Sequence, residues 1–347
     1  MDKNAPRIGR AEVGPFVSAL IPTFNNERSI IPLLDSLLAQ GVQVDEVIIV
    51  DDCSTDSTAE LARKHSLAPT VVKLEKNCGP SVARNAGVQA TYNVPNSVVL
   101  FLDSDVVIPR DTVERVKSVF CDASVSAVNG IMAPPPLNPS LATWYKCLVE
   151  HAWGHFPTQW DNTSTCFNTR IGALRRESFL DIGGFDIRYR KPCVEDHEFG
   201  QRYSAAYTIL HDRLLQAQHH FSGFVKTHKN YWKRTAELLE LLWSTSTSRT
   251  DKGGASVSSG LEYLLGAVMW GTVLVSSLLG PLPSGLALTL FVGASWKSLR
   301  YCQKHKGWLF YCYALALHSM YSATVTLSGA LAAARQLLNF GRINARP

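Results

Sequence analysis

The sequence predicts an α/β protein whose mostly parallel sheet is flanked by helices on both faces, followed by an amphipathic helix and apolar C-terminal helices. Three observations predict this. Short β-branched runs alternate with amphipathic stretches before residue 225, those runs are apolar almost throughout, and the composition changes near Gly253. A strand that is apolar at every position, rather than at every second one, belongs to a sheet with neither face in water.

The elements follow in order. Residues 1–15 form a tail, "MDKNAPRIGRAEVG" and one residue more, without the apolar stretch of a signal peptide, which leaves the first part of the chain in the cytosol. "FVSALIP" (Phe16 to Pro22) is the first strand, and Ile30, Leu33, Leu34, Leu37 and Leu38 after it share one helical face. "DEVIIVDD" is the second strand, and "STDST" opens its helix. "TVVKLE" and "SVVLFLD" are the third and fourth strands, with Gly79 to Gln89 between them.

A chain of 347 residues with 46% hydrophobic content builds one large domain, or a medium domain with an appendage. The net charge of +5, without a run of five or six basic residues, argues against a nucleic-acid surface but suits an anionic membrane face. Eight cysteines, none in a C-x-x-C pair, read as reduced thiols rather than a zinc site or a disulfide framework.

In parallel sheets ligands bind at the carboxyl ends of the strands, and the polar residues of this chain gather there. Pro22, Thr23 and Glu27 end or follow the first strand, Asp51 and Asp52 the second, and Asp103 and Asp105 the fourth. An acidic rim repels a bare phosphate but accepts a divalent cation that bridges to one, since hard cations take carboxylate oxygens. No G-x-x-x-x-G-K-[ST] occurs, and no G-x-G-x-x-G follows the first strand.

From Phe16 to His220 the motifs resemble, in order, those of the family 2 inverting glycosyltransferases. "IPTFNNE", "VDDCSTDST" and "NCGPSVARNAG" resemble the donor-binding segments, "LDSD" the D-x-D metal motif, and "GGFD" and "VEDHEFG" the acceptor-side loop and the motif that supplies the base. The resemblance implies a glycosyltransferase A-type (Rossmann-like) fold over residues 16–225, a nucleotide-sugar donor, with a UDP-sugar the first choice, and a divalent cation, Mg2+ or Mn2+.

It also implies roles. Pro22, Thr23, Glu27, Asp51, Asp52, Arg84 and Asp103 would bind the donor, although Glu27, Asp51 and Asp52 also suit helix capping, and Arg84 suits an ion pair with an acidic strand end. Asp105 and Asp103 would hold the metal, with His220 of the His219–His220 pair beside it. Asp196 would be the base that takes the acceptor hydroxyl's proton, with Glu195 as second choice and His197 a neighbour without a role. The Q-x-x-R-W motif of processive synthases is missing, which favours one sugar per visit.

Residues 226–260 combine an amphipathic helix and a linker. Tyr231, Trp232, Thr235, Leu238, Leu239 and Leu242 share one face, which suits a membrane interface or packing on the catalytic domain. Within residues 261–334, Tyr263 to Trp296 and Gly307 to Ala334 contain no Asp, Glu, Lys or Arg, which reads as two or three transmembrane helices before a tail at 335–347. The expectation is thus a multi-pass membrane glycosyltransferase with a cytosolic active site. Its partners would be a nucleotide-sugar, membrane lipids and a lipid-linked or glycan acceptor, with no nucleic acid. Rival readings are a polyprenyl-phosphate sugar synthase, a processive polysaccharide synthase, or a non-catalytic nucleotide-sugar-binding membrane subunit.

Overall fold

Strand β1 (Val17–Thr23) is buried along almost its whole length, as a central strand covered on both faces must be. The computed structural model describes residues 14–155, 163–192, 194–244, 255–274 and 282–344. After β1 come α1 (Ile30–Leu38), β2 (Glu46–Asp51), α2 (Thr58–Lys64), β3 (Thr70–Lys73), α3 (Pro80–Ala90), β4 (Val98–Leu102), β5 (Val106–Val107) and α4 (Thr112–Phe120). They are followed by β6 (Ala127–Met132), α5 (Leu141–His155), β7 (Thr163–Ser164), β8 (Ile171–Arg175), α6 (Arg176–Asp181), α7 (Glu195–Ala206) and β9 (Ile209–His219).

Alternation along the strands sorts the core into two layers. Val17, Ala19 and Ile21 of β1, Val47 and Ile49 of β2, and Val98, Leu100 and Leu102 of β4 face α1. Leu20, Ile48, Val50, Val99 and Phe101 face the other way, against Ala83 and Val88 of α3 and the rings of Phe179, Phe185 and Phe199. The α1 face is Ile30, Leu33, Leu34 and Leu37, whereas Leu38, expected among them, is exposed.

The strand order is β3-β2-β1-β4-β8-β6-β9-β5, with β7 beside β9. The β1–β2, β2–β3 and β1–β4 pairs are parallel. The chain runs outward through β2 and β3, then returns to the other side of β1, so α1 and α3 cover opposite faces. The crevice beyond the carboxyl ends of β1 and β4 is the switch point at which such sheets bind ligands. The second half is mixed: β8 is antiparallel to both β4 and β6, and β9 is parallel to β6.

Beyond β9 lie α8 (Phe224–Ser244), α9 (Ala255–Leu274), α10 (Leu282–Ala294) and α11 (Trp296–Asn344), the last broken at Gly307, whose φ of 82° is left-handed. Helix α11 packs on α5, while α8, α9 and α10 pack on α11. Tyr145, Leu148 and Val149 of α5 share a cluster with Leu299, Cys302, Leu317 and Tyr321 of α11. His228 of α8 meets Thr324 Oγ1 at 2.8 Å, and Ser328 Oγ donates to the Trp232 carbonyl. The amphipathic helix therefore packs part of its expected apolar face, Tyr231 included, on the protein.

The membrane expectation is corrected here. Among the described residues no helix is long and apolar enough to cross a membrane. Freedom from charge did not amount to apolarity, because the uncharged stretches are rich in hydroxyls, glycines and aromatic hydroxyl groups. Thr272, Thr289, Ser319 and Ser322 return their hydroxyls to carbonyls one turn back, and His318 is buried against Tyr145 at 2.6 Å. Helix α10 has only 13 residues, well short of the roughly 20 that a bilayer demands. The multi-pass topology and the spans at 261–334 are withdrawn with it. Part of the expected linker (245–254), residues 275–281 and most of the N-terminal tail lie outside the described residues.

Candidate active site

The parallel register sets Thr23 beside Asp51 at the carboxyl edge of the sheet. Asp51 is fully buried; its Oδ1 accepts from the Ser54 amide at 2.9 Å, while its Oδ2 has no partner. Thr23 Oγ1, also buried, has none either. Two unsatisfied buried polar atoms at a switch point are what a bound polar ligand would satisfy. Pro22 is half-buried just before them.

Asp52 is already committed. Its two oxygens accept from the Cys78 and Gly79 amides at 2.7 and 2.8 Å, which fixes the turn into α3. Gly79 sits at φ 90°, and a Cβ there would lie 2.0 Å from the Arg190 carbonyl oxygen, so no other residue fits this turn. Burial raises the Asp52 carboxyl above its ordinary range despite both amides. Glu27 is exposed and braces the start of α2, accepting from the Ser57 amide at 3.2 Å.

Arg84 projects from α3 into the centre of the rim. It donates to Asp103 Oδ1 at 3.1 Å and to Glu195 Oε1 at 3.0 Å, with its guanidinium 5.5 Å from the Phe185 ring centre. Burial raises the Asp103 carboxyl, and the charge of Arg84 only partly offsets this. Asp105 is different. Burial pushes its carboxyl up, but the hydrogen bond from His219 and the charges of His219, His220 and Arg170 prevail and hold it low.

The expected histidine is His220, yet the side chain on Asp105 belongs to His219, whose Nε2 lies 3.3 Å from Oδ1. His220 is exposed, and its backbone amide donates to the Asp105 carbonyl at 3.0 Å. Asp103 and Asp105 together offer hard carboxylate oxygens at the strand end, a donor set that fits Mg2+ or Mn2+.

The two candidate bases also differ. Glu195 is buried and tied to Arg84, whereas Asp196 is half-buried at the first turn of α7, with Oδ1 accepting from the His197 amide at 2.9 Å.

A second ion network, absent from the sequence reading, backs the rim. Arg170, just before β8, donates to Glu150 of α5 at 2.6 Å, and Lys146 lies 3.2 Å from the same carboxylate. The charges of Arg170 and Lys146 overcome the burial of Glu150 and hold its carboxyl far below the ordinary range. No sequence signal marked Arg170, because only the antiparallel pairing of Ile171 with Leu102 carries it to the strand end beside Asp103.

Residues 18–183 match the model of glycosyl transferase family 2. An uncharacterised glycosyltransferase of Haemophilus influenzae is 27% identical over 195 residues, covering 53% of this chain and 60% of that protein. The glycosyltransferase GlyA of Streptococcus pneumoniae is 33% identical over 187 residues, covering 53% of this chain and 25% of that protein. The putative teichuronic acid biosynthesis glycosyltransferase TuaG of Bacillus subtilis is 38% identical over 104 residues, which is 29% of this chain and 40% of that protein. The chain thus spans less than two thirds of these relatives. Among solved structures, a mannosyltransferase of Pyrobaculum calidifontis in complex with GDP-Man and Mn2+ superimposes with a TM-score of 0.57 at 19% identity, over 92% of this chain and 88% of that one, which shows a common fold. Residues 18–183, just under half of the chain, are thus similar to glycosyl transferase family 2, and they lie on an α/β fold shared with that mannosyltransferase.

Proposed function

We propose that the protein transfers one sugar from a nucleotide-sugar to an acceptor hydroxyl with inversion at the anomeric carbon. The observation that carries the donor side is the pair of buried, partnerless atoms, Thr23 Oγ1 and Asp51 Oδ2, at the switch point. They accept from the nucleoside, with Asp52 acting indirectly by fixing the loop before α3. A donor with its nucleoside there brings its diphosphate to Asp103 and Asp105.

Asp103 and Asp105 would hold the divalent cation, which supplies charge neutralisation for the departing nucleoside diphosphate. Arg84 keeps Asp103 in place, and His219 orients Asp105. Asp196 accepts the proton of the acceptor hydroxyl as that oxygen attacks. The adjacent Glu195 is unsuited to the task, since its carboxylate is spent on Arg84. The similarity to TuaG, a protein named for teichuronic acid biosynthesis, favours a glycan or a lipid-linked glycan as acceptor.

The test is a panel of UDP- and GDP-sugars offered with glycan acceptors and Mn2+ or Mg2+, reading released nucleotide and the anomeric configuration of the product. An inverted product, with EDTA abolishing its formation, is expected. A product with retained configuration, or undiminished transfer in EDTA, overturns the mechanism. Nucleotide-sugar binding without transfer or hydrolysis would mark a binding subunit.

A further inference from the structure

One group of side chains beside the rim carries more than the transfer reaction uses. Among the described residues, Cys166, Asp196 and His197 alone place three metal-capable ligand atoms, a sulfur, a carboxylate oxygen and an imidazole nitrogen, within 4.8 Å of one another. A tetrahedral zinc ion holds sulfur at about 2.3 Å and nitrogen or oxygen at about 2.0–2.2 Å, so its ligands stand about 3.3–3.8 Å apart. Closing from as much as 4.8 Å needs shifts of about an ångström, a distance that side-chain rotation spans. All three residues are half-buried.

The backbone that presents Cys166 is fixed independently of any ion. Its carbonyl accepts from Asn129 Nδ2 at 2.7 Å and from Ser164 Oγ at 2.8 Å, and its amide donates to Ser164 Oγ at 3.1 Å. The Phe167 amide reaches the Asp196 carbonyl at 3.3 Å. On α7, Gly200 has no side chain where a Cβ would lie 2.6 Å from Cys166 Cα, the Phe167 nitrogen and the Thr165 oxygen. That close approach of helix to loop sets the thiol against the first turn of α7.

We propose that Cys166, Asp196 and His197 bind a soft divalent cation such as Zn2+, and that its binding blocks sugar transfer by occupying Asp196. Thiolate and imidazole ligands select zinc over the hard cations suited to Asp103 and Asp105, so the two sites take different ions. Binding releases the Cys166 thiol proton to solvent, and the Asp196 carboxylate then donates to the ion instead of accepting the acceptor's proton. The inhibitory half rests on Asp196 being the base; the site itself does not.

The full-length protein is titrated with Co2+ as a coloured substitute for Zn2+. A one-to-one complex with a thiolate-to-cobalt charge-transfer band, displaced by Zn2+, is expected. Cys166→Ser should abolish the band, and His197→Asn should weaken binding at least about tenfold, the smallest loss usual even for outer-shell partners of a metal. If either variant folds poorly, peptide-resolved alkylation of the parent protein decides, since Zn2+ should slow labelling of Cys166. Absence of both the band and the protection overturns the site. Transfer is then assayed at saturating Mn2+. Zn2+ should inhibit the parent, and inhibition should need at least about tenfold more Zn2+ in Cys166→Ser and His197→Asn. Equal inhibition of parent and variants would mean that Zn2+ acts by displacing the ion on Asp105, which overturns the inhibitory half. Zinc bound at Cys166 with full transfer activity would leave the site standing and remove Asp196 from the role of base.

Discussion

Arg84 and Glu195, 111 positions apart in the chain, are joined by a 3.0 Å charge-assisted hydrogen bond with both side chains buried. This pair ties α3 to the start of α7 and so determines which of two consecutive carboxylates is available for chemistry. Glu195→Gln leaves the Arg84 charge with Asp103 as its remaining close partner. Breaking a buried pair of this kind costs about 3 kcal/mol, and the variant should show that loss as a lower urea midpoint at unchanged slope. An unaltered midpoint would mean that solvent reaches Arg84.

Asp196→Asn separates hydroxyl from phosphate acceptors. Turnover should fall by about 10²-fold or more while donor affinity stays near that of the parent, as expected for loss of a general base. A phosphate acceptor arrives already ionised and needs no base, so near-parental turnover would point to a polyprenyl-phosphate acceptor. Loss of donor affinity would instead assign Asp196 to the nucleotide.

Asp105→Asn tests the cation. It keeps the size of the side chain and an oxygen for His219 but removes the charge, so transfer and its divalent-ion dependence should be lost while the protein stays folded, at some cost in stability from the lost attraction to His219 and Arg170. Retained, cation-stimulated activity would locate the ion elsewhere.

Asp51→Asn addresses the nucleoside. The Ser54 amide keeps its acceptor, so the fold should tolerate the change, while a donor group on Asp51 Oδ2 loses a charged acceptor worth about 1.5–3 kcal/mol. The expected result is about a tenfold or greater rise in the donor KM with kcat less affected. A drop in kcat alone would move Asp51 away from the nucleoside.

Glu150 supplies a pH signature of stability. Its carboxyl is held far below the ordinary range by Arg170 and Lys146, so it binds protons more weakly folded than unfolded. Its contribution is therefore complete above about pH 5 and shrinks as pH falls below the unfolded value of about 4.3 toward the low folded value. Glu150→Gln should cost about 2 kcal/mol at neutral pH, reduced from the cost of a fully buried pair because the Arg170 side chain is 32% exposed, and the gap to the parent should narrow in acid. A gap that stays constant with pH would mean that lost packing, not charge, is responsible.

The first four strands, their order of residues and the polar ends that line the crevice were legible in the sequence, because a covered parallel strand is uniformly apolar and its loop must carry the chemistry. Thr23, Asp51, Asp103 and Asp105 needed only that reasoning to be placed on one rim. What Arg84 contacts was not legible. Its partners come from a strand end 19 residues away and a helix 111 residues away, and local pattern does not encode such separations. The same holds for the contact of His219 with Asp105, since β9 pairs antiparallel with β5 and its register sets Val106 opposite His219.

The C-terminal helices show the converse. The sequence determined that they contain two long stretches without charge; tertiary structure decided where they go. His318 meets Tyr145 of α5, Thr324 meets His228 of α8, and Ser322 returns its hydroxyl to the His318 carbonyl, so polar side chains of these stretches find partners within the protein. Cys166 belongs to the same lesson. In the sequence it is one of eight scattered cysteines, and only the close contact at Gly200 brings it to Asp196 and His197. Sequence fixes which side chains and which periodicity are available, while the juxtaposition of distant groups depends on strand register and helix packing, which are properties of the folded chain alone.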